Sequence, residues 1–123
     1  MHQSISVKSV MIIDDEVDLV DLVKEVLREF GCECEGFTDA AQALAFYAEH
    51  WKNIDLVLTD MTMPGFTAAK VLQELRRCNP NVKAILVSGN SEIADNISQV
   101  HAEGYAGFLA KPFRDEELLR ILR

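Results

Sequence analysis

Four places in the chain carry side chains whose types could do chemistry together. Asp14 and Asp15 follow the apolar run Val7 to Ile13. Asp60 follows Asp55 to Thr59, Ser88 follows Val82 to Val87, and Lys111 follows Gly104 to Ala110. Each stands just past an apolar run of strand length. If the runs lie side by side, three carboxylates, a hydroxyl and an ammonium converge. Three carboxylates packed together repel, and one must hold a proton unless a cation joins them. A hard divalent ion with oxygen ligands answers that need, and Mg²⁺ suits one or two carboxylates with waters and phosphate oxygens. An aspartate can also attack phosphorus and form an aspartyl-phosphate. Phosphoryl transfer needs positioning and positive charge around the equatorial oxygens, which the ion and Lys111 would supply. Ser88 and the backbone N–H groups of Met61 and Gly89 are candidate donors to a phosphoryl oxygen.

The elements that must position these groups follow from periodicity. Val17, Val20, Val23, Leu27 and Phe30, with Leu19, Leu22 and Val26 beside them, mark an amphipathic helix. Gly31 falls where a helix C-cap wants it. Cys32 to Phe37 reads as a weakly alternating edge strand. Thr38-Asp39 is an N-cap for a helix carrying Ala40, Ala43, Leu44, Tyr47, Ala48 and Trp51. Pro64-Gly65 marks a turn. Val71, Leu72 and Leu75 mark a third helix, stopped by Asn79-Pro80-Asn81. A weak fourth helix has Ile93, Ile97 and Val100 on its apolar side. A short last helix starts near Asp115 and carries Leu118, Leu119, Ile121 and Leu122. The order is strand then helix, five times over. That predicts an α/β fold: a (βα)5 doubly wound, flavodoxin-like domain. Its five-stranded parallel sheet runs in order 2-1-3-4-5, with helices on both faces. In such a sheet, ligands bind outside the carboxyl ends of the strands, where the four groups lie.

Length and charge narrow the classes. The 123 residues make one domain. The net charge is −8 and the basic residues are scattered, which argues against a nucleic-acid partner. No apolar stretch approaches the roughly 20 residues that cross a bilayer, and the start lacks a signal-peptide pattern. The expected localisation is cytoplasmic, without membrane insertion. Cys32, Cys34 and Cys78 form no disulfide framework or zinc pattern and read as buried, inert thiols.

At this point the motifs resemble a known family. Ile12-Ile13-Asp14-Asp15-Glu16, Leu58-Thr59-Asp60-Met61-Thr62-Met63-Pro64-Gly65, Leu86-Val87-Ser88-Gly89 and Phe108-Leu109-Ala110-Lys111-Pro112-Phe113 occur in order. Together they resemble the receiver domain of two-component response regulators, across nearly the whole chain. The resemblance implies roles. Asp60 matches the phosphoacceptor. Asp15 matches the direct Mg²⁺ ligand and Asp14 the carboxylate that holds the ion largely through water. The backbone carbonyl of Thr62 matches a third protein ligand, and Mn²⁺ is an acceptable substitute ion. Ser88 matches the switch hydroxyl, Lys111 the lysine that pairs with the phosphoryl group, and Phe108 the switch aromatic. Tyrosine is common at the last position; phenylalanine has no hydroxyl to bond. The family often has glycine where Ala68 stands and a cis bond where Lys111-Pro112 stands. Thr62 and Asn90 match positions that tune phosphoryl lifetime.

The implied partner is a histidine kinase or histidine phosphotransfer protein, whose own histidine donates the phosphoryl group. His2, His50 and His101 are then solvated bystanders, and Tyr47 and Trp51 pack helix on sheet. Phosphorylation of Asp60 would change partner binding through the face of the fourth helix, fifth strand and fifth helix. Such a domain is a switch and is not counted as an enzyme. Residues 1–123 are one receiver domain, either stand-alone or cut from a larger response regulator or hybrid histidine kinase. The alternatives are a phosphate-independent interaction module of the same fold and an aspartyl-phosphate phosphatase of the haloacid dehalogenase kind. The latter needs an Asp-x-Asp after the first strand and a cap segment, and neither is present.

Overall fold

The computed structural model describes residues 7–60, 62–89, 102 and 104–123. The expected fourth helix around Ile93, Ile97 and Val100 lies outside these residues, as do Met61, Asn90, His2 and His101.

Five strands form a parallel sheet: β1 (Ser9–Ile13), β2 (Glu33–Phe37), β3 (Leu56–Asp60), and, after a two-stranded hairpin of β4 (Thr62–Met63) and β5 (Phe66–Thr67), β6 (Ala84–Ser88) and β7 (Gly107–Ala110). Their order is β2-β1-β3-β6-β7. Counted along the main sheet this is 2-1-3-4-5, as the strand–helix alternation predicts. The α-helices among the described residues are α1 (Val17–Glu29), α2 (Ala40–His50), α3 (Ala68–Cys78) and a C-terminal helix (Asp115–Ile121).

Alternate residues of the strands feed two cores, because successive side chains point to opposite faces. Val10, Ile12, Leu56, Leu58, Ile85, Val87 and Leu109 pack with α1 and the C-terminal helix through Val20, Val23, Leu27, Leu118 and Leu122. Met11, Ile13, Val57, Ala84 and Leu86 pack with α2 and α3 through Ala43, Tyr47, Val71, Leu72 and Leu75. Helices therefore cover both faces, which is why β3 and β6 are buried along their whole length. Tyr47 is buried and Trp51 packs against the second core, as expected of them.

The local chemistry sets the helix ends. Asp39 caps α2 by accepting from the Ala41 N–H at 2.9 Å. Thr67 caps α3 by accepting from the Lys70 N–H at 3.1 Å. Gly31, at φ 75°, ends α1 in the left-handed conformation open to glycine.

Some expectations need correction. The buried stripe of α1 is narrower than its apolar residues suggest: Val17 is 57% exposed, Leu22 49% and Phe30 41%. Val20, Val23, Val26 and Leu27 are the residues of the helix that are buried, while Val17 and Leu22 line an open groove. Ala48 faces outward on α2. β1 begins at Ser9 and β2 at Glu33, each later than the apolar run. β7 begins at Gly107, because Gly104 turns the chain at φ 107° and Tyr105 enters the core instead of the ladder. His50 is half-buried: its ring stacks on Phe46 at 4.1 Å and its Nδ1 lies 3.0 Å from the Phe46 carbonyl. Of the three thiols only Cys32 is buried; Cys34 and Cys78 are half-buried.

Candidate phosphoryl and metal site

The register lines up the strand ends. Ile13 pairs with Thr59, so Asp14 and Asp60 leave neighbouring strands at the same level. Asp60 pairs with Val87, and Ser88 with Ala110, so Ser88 and Lys111 follow one step further each. The Lys111 N–H donates to the Ser88 carbonyl at 2.8 Å, which ties the last two strand ends together. The Lys111–Pro112 peptide bond is cis, as the resemblance implies.

Asp14 is wholly buried, and Asp60 and Ser88 nearly so. The Asp14 N–H donates to the Phe37 carbonyl at 2.9 Å, and Asp14 Oδ1 accepts from the Glu16 N–H at 2.9 Å. Asp14 Oδ2 lies 2.8 Å from Lys111 Nζ. The same ammonium lies 2.8 Å from Glu16 Oε2 and 3.7 Å from Asp60 Oδ1. Burial pushes the Lys111 ammonium down in pKa. The hydrogen bonds to Asp14 and Glu16, with the charges of Asp14 and Asp60, outweigh that and raise it above the ordinary 10.5. Lys111 is therefore a fixed positive charge at any physiological pH.

Asp14, Asp15 and Asp60 each offer an oxygen within 4.8 Å of the others, and Asp15 is exposed. The donors are hard carboxylate oxygens, two of them in buried residues, so the group fits Mg²⁺ or a similar divalent cation. Thr62 lies at the start of β4, two residues after Asp60. Phe108 sits on β7 opposite Leu86, half-buried against the second core.

Sequence reasoning thus names Asp14, Asp15, Asp60, Ser88 and Lys111, and all five stand at neighbouring strand ends. It missed the side chain of Glu16. The sequence showed a third acid directly after the pair but not that its side chain reaches Lys111. It also missed the β4–β5 hairpin, whose turn is Pro64-Gly65 with Gly65 at φ 80°. The hairpin joins Asp60 to the Thr67 cap of α3.

An open groove of about 770 Å³ adjoins the site, lined by Glu16, Val17, Asp18, Leu19, Leu22, Gly89, Lys111, Pro112 and Phe113. The cysteines stand away from it. Burial pushes the Cys32 thiol up, helped by Asp55 and Glu33, and raises Cys34 to about 12. Neither is a nucleophile at neutral pH.

A five-stranded parallel sheet with this acid cluster at its carboxyl edge defines a receiver-type α/β domain. The family model for the response regulator receiver domain matches residues 10–123, and the chain belongs to that family. It is 36% identical over 116 residues to the transcriptional regulatory protein MalR of Bacillus subtilis, covering 93% of this chain and 48% of that protein. It is 30% identical over 115 residues to the C4-dicarboxylate transport transcriptional regulatory protein DctD of Rhizobium meliloti, covering 94% of this chain and 24% of that one. The chain therefore spans about a quarter to a half of these curated relatives. A response regulator receiver domain protein from Clostridium thermocellum superposes with a TM-score of 0.85 at 27% identity, over 94% of this chain and 90% of that one. No helix among the described residues is long and apolar enough to cross a membrane.

Proposed function

We propose that this chain is a phosphorylatable receiver switch of a two-component phosphorelay. Asp60 is the acceptor. One carboxylate oxygen of Asp60 attacks the phosphorus of a donor phosphohistidine; the new O–P bond forms as the donor P–N bond breaks, and the histidine leaves with its electron pair. The donor is a histidine kinase or a histidine phosphotransfer protein. Asp14, Asp15, Asp60 and the Thr62 carbonyl would hold a Mg²⁺ ion, which when bound offsets charge on the phosphoryl oxygens. Lys111 pairs with a phosphoryl oxygen, and Ser88 donates a hydrogen bond to another. Ser88 and Phe108 then shift, and the face that includes β7 and the C-terminal helix changes its partners. This is a population shift between two states biased by local charge, not turnover of a substrate.

The observation that supports this reading most is the placement of Lys111. Its ammonium lies within 4 Å of both Asp14 and Asp60, at the mouth of a cluster of three aspartates.

The test is intact mass after incubation with acetyl phosphate and Mg²⁺, beside Asp60→Asn. The expected result is a gain of one phosphoryl group, lost in the variant and with EDTA. No gain by a folded chain would overturn the reading and leave a phosphate-independent interaction module.

A further inference from the structure

Glu16 occupies the N-cap position of α1, yet its side chain caps nothing. Its carbonyl accepts from the Val20 N–H at 3.1 Å, as an N-cap carbonyl should. The carboxylate instead reaches across the sheet edge to Lys111, 95 residues away, at 2.8 Å. The backbone holds it there, because the Glu16 N–H donates to Asp14 Oδ1. Asp14 and Glu16 thus form a pair of carboxylates, each 2.8 Å from the same ammonium, while Asp60 waits at 3.7 Å.

The three acids do not hold Lys111 alike. Asp14 is wholly buried, whereas the Glu16 side chain is 60% exposed. Glu16 is the partner most easily solvated or neutralised. It holds the ammonium at 2.8 Å, while Asp60 stands 3.7 Å from the same nitrogen.

We infer that Glu16 is a positioning residue: it competes with Asp60 for Lys111 and so sets how readily the ammonium meets a phosphoryl group. The inference rests on the proposed phosphoacceptor role of Asp60. Lys111 has three N–H donors, two of them directed at Asp14 and Glu16, and once Asp60 carries a phosphoryl group the ammonium reaches it only by moving from its 2.8 Å contact with Glu16 toward Asp60, 3.7 Å away. The cost is one ion pair with a solvent-exposed partner. Removing that competitor therefore favours the phosphorylated form by about two- to fivefold.

The experiment compares Glu16→Gln with wild type. Glutamine keeps the length of the side chain and removes its charge. Asp18→Asn is the control for charge alone, since Asp18 is exposed in the first turn of α1 and makes no ion pair among the described residues. Phosphorylated fraction is read by intact mass across a series of acetyl phosphate concentrations with Mg²⁺. Glu16→Gln should reach half-phosphorylation at about two- to fivefold lower donor, and Asp18→Asn should match wild type. A second readout needs no phosphoryl group: the Nζ resonance of Lys111 in lysine-labelled protein should move in Glu16→Gln and stay in Asp18→Asn. Equal midpoints for Glu16→Gln and Asp18→Asn, or an unmoved Lys111 resonance, would overturn the inference and leave the receiver reading intact. A wild-type chain that takes no phosphoryl group would overturn both.

Discussion

Lys111 shows what a single residue does here. Its ammonium is set among Asp14, Glu16 and Asp60, and its side chain is only 17% exposed. Its place was legible, because strand-end residues in a parallel sheet meet at one crevice. The same rule located Asp14, Asp15, Asp60 and Ser88. The side-chain direction of Glu16 was not legible: spacing places a Cα, and rotamers depend on neighbours 95 residues distant. Lys111→Ala leaves a wholly buried Asp14 carboxylate without its ammonium. Without divalent cation at pH 7, that variant should lose about 2 kcal/mol of stability in urea unfolding. Because folding raises the Lys111 pKa, its contribution is complete below 10.5 and is lost as pH rises through the folded value. The gap between variant and wild type should therefore begin to narrow above pH 10.5 and close only past the folded value. A constant gap at all pH would assign the loss to packing of the lysine stem.

Among the elements, the long ones were the easy ones. β3 and β6 are continuous apolar runs because both their faces are covered, and α1, α2 and α3 carry helical periodicity. The hairpin β4–β5 has two residues per strand, too few for any period to show, and only Pro64-Gly65 signalled it. The entry to β7 was misplaced for a related reason. Tyr105 looks like one more apolar strand residue, but its hydroxyl leaves the ladder and donates to the Ala68 carbonyl at 2.7 Å. Arg76 donates to the Gly104 carbonyl at 3.3 Å, and its guanidinium occupies the space a Cβ on Gly104 would need. α3 therefore grips residues 104 and 105, just before the strand that carries Phe108 and Lys111. Tyr105→Phe removes the buried hydroxyl donor while keeping the ring, and should cost about 1 kcal/mol in urea unfolding with an unchanged m-value. No loss would mean that the Tyr105 hydroxyl bond contributes nothing to holding the entry to β7.

Over the whole molecule, the two cores and the site are consequences of one arrangement. Parallel strands put every carboxyl end on one edge, and the helices on both faces leave that edge open. The edge then concentrates acid in a chain whose net charge is already −8. Such a molecule gains stability from any salt through screening of self-repulsion. A divalent ion held by Asp14, Asp15 and Asp60 would add a second, saturable gain, because it would bind the folded chain and not the unfolded one. Melting in MgCl₂ and in NaCl of matched ionic strength separates the two. At ten times its Kd, Mg²⁺ should add about 1.4 kcal/mol over NaCl, a Tm rise of roughly 5 °C. EDTA should return the Tm to the NaCl value. Asp15→Asn is the sharpest control, because Asp15 is exposed and has no ion pair with Lys111 to lose. Its Tm should respond to both salts alike. If the wild type also responds to both alike, the acids at the sheet edge act only through their general field and hold no ion.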